Sequence, residues 1–188
     1  MKKILFYFAS AILLFAYIWV LFLSMDTSNV DDSYDLFYLQ KELKYYSAEE
    51  ELLEYCENVV FEYTKDGNNK NLGWGWDNSE ENGTWSIGNN STFFILVNNP
   101  DDLYDLQIKI NDGAGYKNNL FLNGEKIGTI LPGENEYHLR IDKYLTDGFN
   151  KFEIVSDEEV IPYNEKNAES GDKRKLNILV NTITLKSL

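Results

Sequence analysis

This chain is short of the residues that most nucleophile, metal and redox chemistry needs. Cys56 is the one cysteine in 188 residues, which excludes an intramolecular disulfide and a cysteine-based zinc site. His138 is the one histidine. It lies in EYHLRI, where strand alternation sets it on the face opposite Tyr137 and Leu139, a rim position and not that of a catalytic base. No GxSxG elbow is present, so no Ser/His/Asp order can be assembled. Positive charge is scarce as well: 17 Lys and Arg stand against 31 Asp and Glu, a formal −14. With Lys2 and Lys3 set aside, the remaining 15 basic side chains face all 31 acids, a formal −16 for residues 26–188. A surface of that sign repels nucleic acid and anionic lipid, and neither is expected as a partner.

The acids do not by themselves make an enzyme. Adjacent pairs such as Glu80-Glu81, Asp101-Asp102 and Glu158-Glu159 arise without purpose in so acidic a chain, so a glycosidase acid/base pair is not indicated. The stretch DGNNKN at 66–71 puts Lys70 where a calcium loop needs its third oxygen ligand, and no bidentate Glu follows. No catalytic residue, metal ligand or cofactor is therefore expected. Calcium at an Asp-rich loop is the one ion the composition leaves open.

Ile4 to Leu23 is a run of 20 residues with no charge and Ser10 as its one clearly polar side chain. At about 1.5 Å per residue such a helix spans about 30 Å, the thickness of a bilayer core. Lys2 and Lys3 precede it and Asp26, Asp31 and Asp32 follow, which places the N-terminus in the cytoplasm and the rest outside. A cleaved signal peptide is the rival reading, but its apolar region is shorter and ends in a small-x-small site, where FLSMD offers only Ser24. Residues 1–25 are thus expected to be a single-pass signal-anchor.

Residues 26–57 form an acidic linker with short helices. Leu36, Leu39, Leu43 and Tyr46 recur at helical spacing, a stripe suited to packing on the following domain, to a stalk or, over only about two heptads, to a dimer seam. Ser47 with Glu50 fits a capping box, which predicts a second helix running to about Cys56.

From residue 58 to 188 the pattern is that of a β protein. Eight runs, NVVFEY, STFFILV, DLQIKIN, NNLFLN, EKIGTIL, EYHLRI, NKFEIV and LNILVNTITL, are rich in β-branched and aromatic residues and separated by Gly, Asn, Asp and Pro clusters. Eight strands at this spacing predict an all-β jelly-roll sandwich. Asn123-Gly124 tolerates positive φ at both positions and marks a tight hairpin. In DLQIKIN, Leu106, Ile108 and Ile110 alternate with Gln107 and Lys109, giving one buried and one wet face.

Three elements in this region carry a resemblance. The first is GW-x-x-x-E-x-x-G-x-W-S, from Gly75-Trp76 through Glu80 and Gly83 to Trp85-Ser86. The second is LFLNGEKIGTI at 120–130 with LTDGFNKFEIV at 145–155. The third is G-D-x-R-x-L, containing Asp172 and Arg174, within ESGDKRKLNILVNTITL at 169–185. In this order they resemble the galactose-binding-like β-sandwich modules fused to membrane glycosyltransferases and related cell-envelope proteins, over residues 58–187. The resemblance implies a jelly-roll fold and a non-catalytic, glycan-related role. The chain departs from the pattern at Asn82, where such modules carry a bulky aromatic, and in having an anchor and a short helical segment ahead of the sandwich.

The candidate ligand-binding residues are Trp74, Trp76, Glu80, Trp85, Asp172 and Arg174. Each has a structural reading beside the functional one. Trp76 and Trp85 either close the end of the sandwich, with Glu80 bonding the loop backbone or Arg174, or offer their flat faces to a sugar. Trp74, between Gly73 and Gly75, is the expected exposed platform, with Asn71, Asp77 and Asn78 as hydroxyl partners. Asp172 and Arg174 form either a buried structural pair or a ligand clamp. The acidic loop before them contains Ile161, Pro162 and Tyr163, which suits covering the sandwich or meeting a partner. Two functions follow. One is a membrane-anchored, extracytoplasmic, glycan-binding or accessory module of the cell envelope. The other is a structural or interaction module that partners a membrane protein such as a glycosyltransferase and binds no free sugar.

Overall fold

The computed structural model describes residues 2–25, 30–46, 54, 59–100, 104–133 and 135–188. Helix α1, Lys2–Ser24, contains a stretch from Phe6 to Ser24 long and apolar enough to cross a membrane, a property that signal sequences share. A short helix follows, α2 at Asp32–Tyr34, running on into a π turn at Asp35–Leu39. Its spacing predicted a longer stripe. The helix does not continue past Lys41, which adopts a left-handed backbone, φ 57°, and residues 41–46 follow as a strap with neither helix nor strand. Leu36 and Leu43 are buried on Phe94, with Phe149 partly buried beside them, whereas Leu39 and Tyr46 stay exposed. Of the readings open to this stripe, packing on the domain is the one seen. Of the helix expected from Ser47 to Cys56, Glu54 is the one described residue, and it forms a parallel β-bridge with Leu96 where a helix was expected; the capping pair lies outside the described residues.

Nine strands follow among the described residues, one more than the sequence showed: β1 Val60–Glu62, β2 Thr84–Ile87, β3 Asn90–Val97, β4 Tyr104–Gly113, β5 Asn118–Leu122, β6 Glu125–Ile130, β7 Glu136–Arg140, β8 Gly148–Ser156 and β9 Leu176–Ser187. The extra strand, β2, hides in the Trp-rich stretch that reads as a loop. The strands form two antiparallel sheets. One runs β1-β9-β4-β7, with β2 also on β9; the other runs β3-β8-β5-β6. Most connections carry the chain from one sheet to the other, the wrapping expected of a jelly roll.

The core lies between the sheets. Leu106, Ile108 and Ile110 of β4 face it, as their alternation requires, against Leu120 and Leu122 of β5 and Ile154 of β8. Phe93 and Phe152, register partners on β3 and β8, stack at 4.7 Å between ring centroids with planes 5° apart. Asn123 and Gly124 both take positive φ, 51° and 84°, and close the β5–β6 hairpin in two residues. His138 is exposed on the outer face of β7, near Asp105 and Glu136, while Tyr137 and Leu139 turn toward the core.

Candidate functional site

The six candidate residues fall into two places. Residues 71–77 run along the edge of β3: Gly73 N–H donates to Thr92, Thr92 N–H donates to Trp74, and Phe94 N–H donates to Asn71, at 2.8–2.9 Å. The strap lies against them. Lys44 N–H donates to Leu72 O at 2.8 Å, its ammonium reaches the carbonyls of Trp76 at 2.9 Å and Asp77 at 2.5 Å, and Glu42 pairs with Lys151 at 2.8 Å. The two glycines serve this packing. A methyl group on Gly73 would meet Thr92 Oγ1 at 2.1 Å, and one on Gly75, at φ 83°, would meet Asn90 O at 2.0 Å. They bring backbones together and do not clear a path for a ligand.

The tryptophans separate accordingly. Trp76 is 4% exposed, sits edge-on to Tyr63 at 5.6 Å and donates its indole N–H to Thr92 O at 2.7 Å. Trp85 is 7% exposed, but it is not at the end of the sandwich. It pairs with Leu179, which alternates with the core residues Ile178 and Val180, so both lie on the outer face of their sheet under Tyr163. Neither ring shows a face to solvent, and stacking on a ligand is excluded by burial. Trp74 is 60% exposed, as expected of a platform, though its indole N–H is taken by the Lys41 carbonyl. Of its expected hydroxyl partners, Asn71 is buried and Asp77 is bound to Arg174, while Asn78 is exposed.

Arg174 gathers the second group. Its Nε and Nη2 hold Asp172 at 3.0 and 2.7 Å, and its Nη1 holds Asp77 at 2.6 Å and Glu80 at 3.0 Å. The predicted Glu80–Arg174 contact is present. The pair with Asp172 is not buried, however, since the Arg174 side chain is 41% exposed. Hydrogen bonds from the Arg174 side chain hold the Asp172 carboxyl below the usual range, and the same bonds raise Arg174 further above its ordinary value. All three guanidinium nitrogens are engaged, Nε and Nη2 by Asp172 and Nη1 by Asp77 and Glu80, so the cluster ties the 77–80 segment to the 172–174 loop and leaves little donor capacity for a ligand. The acidic loop does cover the sandwich: Val160 is buried on Ala114 and Tyr116, and helix α3, Tyr163–Lys166, brings Tyr163 onto Trp85.

A concavity among the described residues lies elsewhere, at the sandwich end where the β4–β5 and β6–β7 connections meet. It is a cavity of about 130 Å³. Ile110, Ile130, Ile178 and Tyr116 supply apolar walls, and Asn111, Asp112 and Asn135 supply polar groups. Asn111 spends its amide on Asn82 O at 2.6 Å, and Asp112 Oδ1 accepts the Gly113 N–H at 2.7 Å, which leaves acceptor oxygens on both. Lys166 stands 3.5 Å over the Tyr116 ring and steadies that wall. Reasoning from sequence missed this pocket. Its signal was two turn clusters, NDGAG at 111–115 and LPG at 131–133, separated by a hairpin and therefore returned to one end. A larger groove of about 330 Å³ crosses the outer face of the five-stranded sheet, lined by Val60, Gln107, Lys109, Thr182, Thr184 and Lys186. It has no aromatic wall.

No protein-family model and no curated protein matches this chain. Among solved structures it is similar to a family 35 carbohydrate binding module from an environmental isolate, at 14% identity over 70% of this chain and 83% of that one, TM-score 0.37. It is also similar to the CBM36-1 domain of a multidomain xylanase from the hindgut metagenome of Trinervitermes trinervoides, at 14% identity over 69% and 97%, TM-score 0.39. A Ruminococcus gnavus beta-glucuronidase matches at 12% identity over 54% of this chain and 19% of that one, TM-score 0.38. Likeness at this level carries no argument about a ligand.

Proposed function

We propose that this chain is a membrane-anchored, extracytoplasmic, non-catalytic module that binds a neutral glycan in the end pocket. The observation that carries the reading is the pairing of apolar walls at Ile110, Tyr116, Ile130 and Ile178 with a rim of Asn111, Asp112 and Asn135. A sugar ring has that same division: its C–H surface packs on apolar walls, and its hydroxyls bond carboxylate and amide groups. The Asp112 carboxylate on the rim and the formal −16 of the chain beyond α1 disfavour phosphate and uronate ligands, although the Lys166 ammonium stands against the Tyr116 wall. Asp112 is the one carboxylate among its described lining residues, so the paired acids of glycoside hydrolysis are not assembled there. The pocket is smaller than the roughly 300–1,000 Å³ of sites that enclose drug-sized molecules, so it suits one terminal residue of a longer chain.

Membrane attachment draws on α1 and on the charge asymmetry around it, two lysines before and a formal −16 after. Protease added to intact cells should digest the sandwich while the protein stays in the membrane fraction through alkaline extraction; a mature N-terminus near Asp26 would defeat the anchor. Ligand binding is tested by NMR on the labelled protein titrated with a panel of neutral oligosaccharides. Shifts confined to residues 110–116 and 130–135 support the pocket, and shifts centred on Trp74 would move the site to the strap.

A further inference from the structure

Helix α2, the π turn after it and the strap together present an aromatic cluster that the sandwich does not need. Tyr34, Tyr38, Leu39 and Tyr46 are all exposed, Tyr38 and Leu39 at 48%. The rings are gathered: Tyr34 lies 4.5 Å from Tyr38, and Tyr38 lies 5.2 Å from Tyr46. Phe37 supports them, 4.8 Å from Tyr38 and 5.7 Å from Tyr46. Beneath the rings, Leu36 and Leu43 are locked against Phe94 of β3, and Lys44 and Glu42 are fixed to the 72–77 segment and to Lys151. The cluster is therefore rigidly mounted on the sandwich. Such an arrangement leaves several amphipathic rings in water at one spot, where single exposed apolar residues would need no explanation.

We propose that Tyr34, Tyr38, Leu39 and Tyr46 are a docking patch for the headgroup layer of the membrane that α1 enters. The inference rests on the reading of α1 as an anchor. Position in the chain selects this occupant over a soluble partner. Nine residues separate Ser24, the last of α1, from Tyr34, a reach of at most about 35 Å, so the patch never leaves the neighbourhood of the bilayer surface. At that enforced proximity a weak contact suffices, because tethering makes docking intramolecular. The chemistry agrees. Tyrosine places an apolar ring and a polar hydroxyl at the depth where headgroups meet hydrocarbon, and it is enriched in that belt. Charge defines the lipid: Asp31, whose carboxylate accepts the Tyr34 N–H, and Asp35, next to Tyr34 in the chain, adjoin the patch, and the chain beyond α1 is formally −16, so the surface favours zwitterionic over anionic headgroups. Docking would fix the height and tilt of the sandwich, and with them the presentation of the end pocket.

The test uses the full chain with Cys56→Ser, reconstituted in phosphatidylcholine nanodiscs and carrying one nitroxide label at a time: Leu14→Cys in α1, Gln40→Cys beside the patch with its rings intact, and Glu125→Cys on the β5–β6 hairpin. Collision with oxygen and with a water-soluble nickel chelate reports depth. The expected order is position 14 in hydrocarbon, position 125 in water and position 40 between them. Adding Tyr34→Asp and Tyr46→Asp should return position 40 to the value of position 125 without moving position 14 or the melting temperature. If position 14 is in hydrocarbon and position 40 matches position 125, the anchor stands and the patch proposal fails. If position 40 is shielded from both reagents equally in nanodiscs and in detergent micelles, it contacts protein, and the proposal fails. If position 14 is reached by the nickel chelate, the anchor falls and the patch with it.

Discussion

Asn118 and Asn177 exchange amide hydrogen bonds across the sandwich, 3.0 Å from Asn118 Nδ2 to Asn177 Oδ1 and 2.7 Å in return. The first is on β5 and the second on β9, so the pair links the two sheets through the buried interior. Asn118 also donates to the carbonyl of Tyr116, at 3.2 Å, and so positions a wall of the end pocket. Truncating one partner strands the other in a medium without water. Asn177→Ala should cost about 1–3 kcal/mol in chemical denaturation, and replacing both asparagines with leucine should cost less than the sum of the single changes. Single variants as stable as the wild type would show that the reciprocal pair contributes nothing.

The two tryptophans flanking Gly75 should behave in opposite ways. Trp76→Ala empties a core position and should cost about 3–5 kcal/mol, enough to consume much of a domain's stability. Trp74→Ala removes a mostly exposed ring and one hydrogen bond, and should cost less than about 1 kcal/mol. Equal losses by denaturation would contradict the division into a buried ring and an exposed one.

Acid should weaken the Arg174 cluster in a defined direction. Asp172 is held below its ordinary pKa in the folded chain, so it binds fewer protons there than in the unfolded chain at moderately acidic pH. Its contribution is therefore present at neutral pH and is lost as pH falls from the ordinary carboxylate range through the lowered folded value. The carboxylate is half-buried beside a more exposed Arg174, and solvent screening keeps the contribution small. Arg174→Gln should lower the melting temperature at pH 7, and the gap to the wild type should narrow below pH about 4. A gap that widens in acid would reverse the sign and refute the assignment.

Much of the fold was legible because alternation is a local signal. Leu106, Ile108 and Ile110 announce their own burial, and Asn123-Gly124 announces its own turn. β2 was not legible, since Thr84 to Ile87 has apolar and polar residues on both faces buried, and only the long partner β9 reveals it as a strand. The helical stripe misled for a related reason: Leu36 and Leu43 keep helical spacing, yet Lys41 reverses the backbone between them and the contacts come from Phe94 across the chain. The site was the least legible. Tryptophan count drew attention to residues 73–88, where two of the three rings are buried, one in the core and one beneath Tyr163, while the pocket is built from the end of β4 and the connections beyond β4 and β6, which no local pattern brings together.

The strap should be more than a linker. Lys44→Ala removes the ammonium from the carbonyls of Trp76 and Asp77, hydrogen bonds to a charged group worth about 1.5–3 kcal/mol when sheltered and less here, where burial is partial. Hydrogen exchange should speed up at the Lys44 amide, which bonds Leu72, with the strands unchanged. Unchanged exchange there would mean that the strap is held by Leu36 and Leu43 alone.

The central claim is the pocket, and calorimetric titration of the full-length protein with neutral oligosaccharides tests it most directly. A shallow site with few hydrogen bonds open to water should bind a terminal residue weakly, with Kd on the order of 0.1 to 1 mM. Asp112→Ala combined with Asn135→Ala should abolish the heat without changing the melting temperature, and Trp74→Ala should leave the affinity intact. No heat from a broad panel of neutral glycans at millimolar concentration, or a titration lost with Trp74→Ala and kept without Asp112 and Asn135, would contradict the account.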